Sequence, residues 1–304
     1  MILCCGEALI DMLPRQSTQG EAAFAPHAGG AVFNTAVALG RLDAGVQFLC
    51  GMSSDFLGDL LRDRLAQSGV DASPSPRLDA PCTLAFVRLV DGQASYAFYD
   101  EHSALRSLRP EHLPDITANA LFFGGISLVG AGCGQVYEDL MLAQADTRVA
   151  MLDPNIRPGF VRDAAAYRDR IERMMAAADI IKLSDEDLAW LRGDSATRDL
   201  ASGLLSARTR LVCITEGAKG VTGYTAENEV FVPAPAAQVV DTVGAGDTFN
   251  AGLLAGLDAA GALTKPALAA LDAETLRAAL DLGARAAAVT VARAGANPPT
   301  RAEL

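Results

Sequence analysis

VAMLDPNIRPGFVRDAAAYRDRIERMMAAADIIKLSDEDLAWLRG, residues 149–193, sets an apolar run, an amphipathic run, a second apolar run and a second amphipathic run in direct succession. VAMLDPN and IIKLS have the length of buried strands, whereas AYRDRIERMMAAA and EDLAWLRG carry apolar residues at helical spacing. The alternation extends outward: VQFLCG precedes FLGDLLRDRLAQSG within residues 46–69, and ALFFGGI precedes QVYEDLMLAQA within 120–145. Repeated strand–helix units predict an α/β fold in which helices cover both faces of a mostly parallel sheet. Ligands collect at the carboxyl ends of such strands, so the residues just after each apolar run carry most interest.

Two segments break this rhythm. TLAFVRLVDGQASYAFY, residues 83–99, is two strand-like runs around Asp91-Gly92, a strong hairpin signal with no helix between them. Together with part of residues 8–30, which also read as extended, it forms either a small sheet projecting as a lid or an ordinary hairpin packed on the core. The expected organisation is one domain over residues 1–304, with a small β lid from about 8–32 and 78–106.

The bulk composition narrows the function. A formal net charge of −12 argues against a nucleic-acid backbone as partner, which needs clustered Lys and Arg. No apolar run reaches the roughly 18 residues of a membrane span. The opening MILCCGEALIDML lacks a basic stretch and meets Glu7 and Asp11 too early for a secretion signal. Six scattered cysteines without paired spacing read as buried thiols in a reducing cytoplasm. Metalloprotease, hydrolase and P-loop patterns do not occur, and no G-x-G-x-x-G follows the first strand, which disfavours a dinucleotide-dependent oxidoreductase.

DTVGAGDTFNAG, residues 241–252, lies at a strand-to-helix crossing. Phe249, Leu253, Leu254 and Leu257 recur at helical spacing beyond it, which puts Asp247 in the first helical turn. The first amides of a helix lack internal partners and carry partial positive charge, and Gly244, Ala245 and Gly246 let an anion approach them. The plainer reading makes Asp247 a cap and the glycines a tight turn. An anion hole beside a fixed carboxylate suits phosphoryl transfer to a hydroxyl, with the carboxylate accepting the proton. The helix dipole is expected to hold Asp247 ionised and weakly basic.

DTVGAGDTFNAG resembles the C-terminal signature of the ribokinase-like (PfkB-type) carbohydrate kinases, and AGGAVFNTAVALGRLDAGVQFLCGMSSDFLG, residues 28–58, resembles their N-terminal signature. GEALID, the hairpin, LDPNIRP, KLSDEDL, ITEGAKG and AGANPPT extend the likeness nearly end to end, and FYDEHSALRSL and LDPNIRPGF look most like bacterial fructokinases. The resemblance implies a three-layer α/β/α sandwich with a small β-sheet lid, Asp247 as catalytic base, and Gly244, Ala245 and Gly246 as the anion hole. It implies that Asp11, Gly29, Gly30, Asn34, Phe98 and Arg157 serve the sugar. From the residues alone, Asp11 is an acid ending the first strand, Asn34 a helix N-cap, Phe98 the apolar face of a strand and Arg157 a solvated loop residue.

On the nucleotide side the resemblance assigns Thr215, Gly217, Gly220 and Ala284, although TEGAKG by itself reads as a hairpin turn. Many relatives carry Asn-x-x-Glu after the strand equivalent to IIKL, associated with Mg²⁺ and phosphate placement. Here Ser184 and Asp187 stand in SDED, with Glu186 close enough to leave the register open. Asp241, with backbone oxygens near Val243 and Gly295, matches the family's loop for a monovalent cation such as K⁺. The implied activity is ATP-dependent phosphorylation of D-fructose at O6. A 2-keto-3-deoxygluconate, other ketose or nucleoside kinase is the alternative within the fold, and a non-catalytic sugar or nucleotide sensor the alternative outside it. A carboxylated substrate would call on Arg157 or Arg106. The exposed edge of the hairpin sheet leads one to expect a homodimer.

Overall fold

The computed structural model describes the chain except residues 91, 92 and 194, and side chains outside 89–96. It begins with β1 (Ile2–Cys5), an apolar strand buried along its whole length. At Gly6 the chain leaves that layer, and β2 (Leu9–Gln16) and β3 (Ala22–Gly29) pair antiparallel in a second sheet. Helix α1 (Ala31–Arg41) returns to the body, followed by β4 (Val46–Leu49), the short β5 (Met52–Ser53), α2 (Phe56–Gln67) and β6 (Arg77–Leu78). A second excursion makes β7 (Leu84–Val90) and β8 (Gln93–Tyr99). Then strand and helix alternate: β9 (Ala120–Gly124), α3 (Cys133–Gln144), β10 (Val149–Asp153), α4 (Ala164–Ala177), β11 (Ile180–Ser184), α5 (Asp185–Arg192), α6 (Thr197–Ser202) and β12 (Leu211–Thr215). The chain closes with β13 (Gly220–Tyr224), β14 (Glu229–Pro233), α7 (Ala245–Ala259), α8 (Lys265–Ala269) and α9 (Ala273–Val291).

The main sheet has eight strands in the order β14-β13-β12-β11-β10-β9-β1-β4. Pairings from β4 through β12 are parallel, and β13 and β14 add an antiparallel edge. Strands such as VAMLD and ALFFG are buried throughout, as expected of a sheet covered on both faces. α1, α7 and α9 pack together as one layer, and α3 and α4 meet in another. The approach of α7 to α9 is close enough that a Cβ on Gly252 would lie 2.5 Å from the Gly283 backbone. This is the expected α/β architecture with its mostly parallel central sheet. The six cysteines are free and buried, and among the described residues no helix is long and apolar enough to cross a membrane.

The smaller sheet has the order β3-β2-β7-β8. The expected hairpin strands pair antiparallel, and the Asp91-Gly92 turn itself lies outside the described residues. Asp11 sits on β2 rather than at the end of the first strand. Gly6, whose N–H still bonds Leu49 in the main sheet at 3.2 Å, is the residue where the chain departs. Register places Asp11 opposite Ala85, and Ala85 opposite Phe98, so these three side chains share one face. Phe24, Phe86 and Tyr99 form an edge-to-face row on the other, with centroids 5.0 and 5.5 Å apart.

Candidate active site

Asp247 occupies the third position of α7, after Gly244, which caps the helix with φ of 78°. That left-handed conformation suits glycine, and no side chain caps the turn. Asp247 is therefore not a cap. Its carboxylate is buried and accepts a hydrogen bond from Asn34 Nδ2 at 2.9 Å, while its carbonyl accepts from Thr35 Oγ1 at 3.2 Å. The Ala245 N–H leans toward the Thr242 carbonyl at 3.3 Å, a long contact. The amides of the following residues begin the helix, where internal acceptors are missing.

Burial dominates the proton affinity of Asp247 and pushes its pKa up to about 7. The Asn34 hydrogen bond and the Lys182 charge pull it down, and Asp153 and Glu7 push it up. The expectation that the helix dipole would keep Asp247 a weak base is thus corrected, because desolvation outweighs the helix start here. A carboxylate titrating near neutrality is a better proton acceptor than an ordinary aspartate and remains substantially ionised at pH 7 and above.

Asn34 stands within α1 and is not its cap. Gly30, with φ of 113°, takes the capping position without a side chain. The missing acceptor comes from Glu7, whose Oε1 accepts from Ala31 N at 2.8 Å and whose Oε2 accepts from Ser127 N at 3.1 Å. Gly29 has its own constraint, since a Cβ there would fall 2.2 Å from Asp11 Oδ2. The Asp11 carboxyl thus lies close against Gly29, partly buried, and burial pushes its pKa up to about 6. Phe98 meets Phe160 across a centroid distance of 4.5 Å, tying the small sheet to the loop after β10. Arg157, in that loop, is exposed and donates to the neighbouring Ile156 carbonyl at 3.1 Å.

The two candidate acids after β11 differ in their surroundings. Glu186 is exposed, whereas Asp187 is buried and accepts from Ile156 N at 2.9 Å and from Ser184 N at 3.3 Å. Ser184 Oγ accepts from Asp187 N at 3.0 Å and completes a capping box on α5. Thr215 ends β12, and Gly217 and Gly220 flank a short turn into antiparallel β13, so TEGAKG is a hairpin connection. Gly220, with φ of 134°, leaves 2.2 Å between a hypothetical Cβ and the Val232 carbonyl. Ala284 is buried in α9, next to the Gly283 that packs on α7. Asp241 joins its two expected companions through its carboxylate, accepting from Val243 N at 3.0 Å and from Gly295 N at 2.9 Å.

One cluster escaped the sequence reading. Lys182 Nζ lies 3.0 Å from Asp153 Oδ2, and Asn250 Nδ2 donates to the same oxygen at 2.7 Å. All three are buried beside the start of α7, where a Cβ on Gly246 would lie 3.4 Å from Lys182 Nζ. The available signal was a lysine inside the apolar strand IIKLS, since a charge on a doubly covered strand needs a partner. Glu7 carried a comparable signal between apolar neighbours.

Comparisons with known proteins agree with this fold. The family model for pfkB family carbohydrate kinase matches residues 1–303. The chain is similar to a fructokinase of Rhizobium leguminosarum bv. trifolii, with 53% identity over 91% of this chain and 86% of that protein. Its fold is similar to the crystal structure of a fructokinase with bound ATP from Xylella fastidiosa, at a TM-score of 0.89 and 34% identity, covering 97% of this chain and 93% of the other. It is also similar to an aminoimidazole riboside kinase from Salmonella enterica complexed with aminoimidazole riboside and an ATP analogue, at a TM-score of 0.83 and 25% identity over 97% and 94% of the two chains.

Proposed function

We propose, for a chain that belongs to the pfkB family of carbohydrate kinases, that it transfers the γ-phosphoryl group of ATP to the 6-hydroxyl of D-fructose. The observation that carries the mechanism is the buried Asp247 carboxylate, held by Asn34 at a glycine-lined helix start. Asp247 accepts the hydroxyl proton as the sugar oxygen bonds to phosphorus and the bond to the β-phosphate oxygen of ATP breaks, leaving ADP. Gly244, Ala245 and Gly246 provide the amides that meet the charge on the moving group. Asp11 and Asn34 hold sugar hydroxyls, Gly29 and Gly30 let the sugar approach, and Phe98 covers it with the small sheet as a lid. Arg157 reaches toward the sugar or its phosphate.

Thr215, Gly217, Gly220 and Ala284 line the nucleotide side in this reading. Bound with ATP, Mg²⁺ supplies neutralisation of phosphate charge, and Ser184 and Asp187 are the residues that would face it. Each Asp187 oxygen accepts one backbone N–H, which leaves acceptor capacity for a metal-bound water. Asp241 and the carbonyls of Val243 and Gly295 would hold K⁺. The Asp241 carboxylate already draws both segments together, which supports a closed loop of oxygen donors there.

Arg106 is committed to Asp100 at 2.7 Å, which weighs against its use for a substrate carboxylate. The protein acts as a cytoplasmic homodimer in this reading, and the aromatic row of Phe24, Phe86 and Tyr99 on the face turned away from Asp11 supports pairing of two copies. The test is ADP release with ATP and Mg²⁺ across D-fructose, 2-keto-3-deoxygluconate and nucleosides. Fructose as the best acceptor is expected. Turnover of the sugar acid or a nucleoside without fructose would overturn the assignment.

A further inference from the structure

We propose that Glu7 is a positioning residue for the sugar site: where the chain leaves the main sheet, its carboxylate fixes the first turn of α1 and, through that turn, Asn34 and its contact with Asp247. This role rests on the reading of Asp247 as the proton acceptor and of Asn34 as its partner at the sugar.

Glu7 is a buried carboxylate whose partners are backbone N–H groups. Oε1 accepts from Ala31 N at 2.8 Å, with Val32 N farther off at 3.5 Å, and Oε2 accepts from Ser127 N at 3.1 Å in the turn after β9. Both oxygens therefore act as acceptors, which a carboxylate provides and an amide does not. The backbone is equally constrained. A Cβ on Gly6 would lie 2.4 Å from Val32 Cγ2, one on Gly30 2.8 Å from the Glu7 carbonyl oxygen, and one on Gly125 2.2 Å from Glu7 Oε1. Gly6 and Glu7 are thus wedged between the start of α1 and the turn after β9, and Tyr137 of α3 donates to the Gly6 carbonyl at 3.3 Å.

The turn held in this way carries the site. Asn34 N donates to the Gly30 carbonyl at 2.8 Å, and Asn34 Nδ2 donates to Asp247 Oδ2 at 2.9 Å. Thr35 Oγ1 lies 3.1 Å from the Ala31 carbonyl oxygen and 3.2 Å from that of Asp247, sharing its one proton between them. Gly29, one residue upstream, packs on the Asp11 carboxyl. A helix start is ordinarily satisfied by a side chain at the cap position itself. Here the Glu7 backbone fills the space a side chain on Gly30 would need, so the acceptor comes from Glu7. Burying a charge is a costly way to cap a helix. What Glu7 adds beyond a cap is the second bond, which ties α1 across to Ser127 on the main body. A misplacement of about 1 Å in such a turn can cost roughly 100-fold in rate.

The test is a double-mutant cycle on kcat/KM for sugar phosphorylation at about pH 9, above the value of about 7 at which Asp247 titrates. Glu7→Gln keeps the shape of the side chain but sets a donor against one of the two backbone N–H groups. It is expected to lower kcat/KM roughly 10- to 100-fold and to raise KM for the sugar, with KM for ATP within about twofold. In an Asn34→Ala background the same substitution should cost less than about threefold, because the residue it positions is already gone. Ala31→Pro is the second variant. Proline suits the first position of a helix and deletes the N–H that Glu7 accepts, so the same pattern is expected, and it decides alone should Glu7→Gln fail to fold. A merely structural role would lower the melting temperature and the active fraction, leave KM for the sugar unchanged, and let the two losses multiply in the double variant. That result overturns Glu7 as a positioning residue. Asn34→Ala with wild-type activity would instead overturn the reading of Asn34 at the sugar, which keeps the two failures distinguishable.

Discussion

Asn34 and Asp247, 213 residues apart in the chain, meet at 2.9 Å and bind the first helix to the start of α7. The amide donates to the carboxylate and so favours its ionised form. Asn34→Ala removes that donor and leaves a buried carboxylate less well solvated. The acid limb of the pH–rate profile is expected to move upward from about 7, with kcat/KM falling roughly 10- to 100-fold at pH 7. A profile superimposable on wild type would show that the contact does not set the proton affinity.

Burial of Asp247 also has a thermodynamic signature. Its pKa in the folded protein, about 7, exceeds the ordinary value of 3.8, so the native state holds a proton there that the unfolded chain has lost. That contribution is fully present below the unfolded value and disappears as pH rises through the folded one. Asp247→Asn, which has no charge to bury, should therefore gain on wild type between pH 5 and 8. At pH 8 it should melt higher by roughly 2 °C or more, a difference that vanishes near pH 4. Thermal melts of both proteins at the two pH values measure this.

Much of the fold was legible because it is local. The alternation of short apolar runs with helical periodicity marked β10, α4, β11 and α5, and the glycines of DTVGAGD marked the start of α7. The illegible parts depend on distant residues. Asn34 looked like a cap because Glu7, 24 residues before Ala31, does the capping. Asp11 looked like the end of the first strand because nothing in EALID marks the change of sheet at Gly6. The proton affinity of Asp247 was misjudged because a helix start shows in sequence and burial does not. Lys182, Asp153 and Asn250 come from three elements, and only the lysine in an apolar strand hinted at the cluster.

The Asp241 carboxylate ties Val243 to Gly295 through two amides. Asp241→Ala releases both, loosening the loop that precedes the α7 turn. Activation by K⁺ is expected to disappear, and the rate without K⁺ to fall only slightly. A variant that responds to K⁺ as wild type does would remove Asp241 from the cation loop.

Phe98 bridges the small sheet to Phe160. Phe98→Ala is expected to raise KM for the sugar by roughly tenfold, from lost aromatic burial, while KM for ATP stays within about twofold. Equal effects on both substrates would argue for a general loosening of the fold rather than a cover over the sugar.

The most direct measurement is the turnover number of Asp247→Asn with D-fructose and ATP at pH 8, alongside its affinity for nucleotide. Removal of the proton acceptor should lower kcat by roughly 10²- to 10⁴-fold and leave nucleotide binding unchanged. A variant turning over within a few-fold of wild type would contradict the role of Asp247, and with it the mechanism built around that carboxylate.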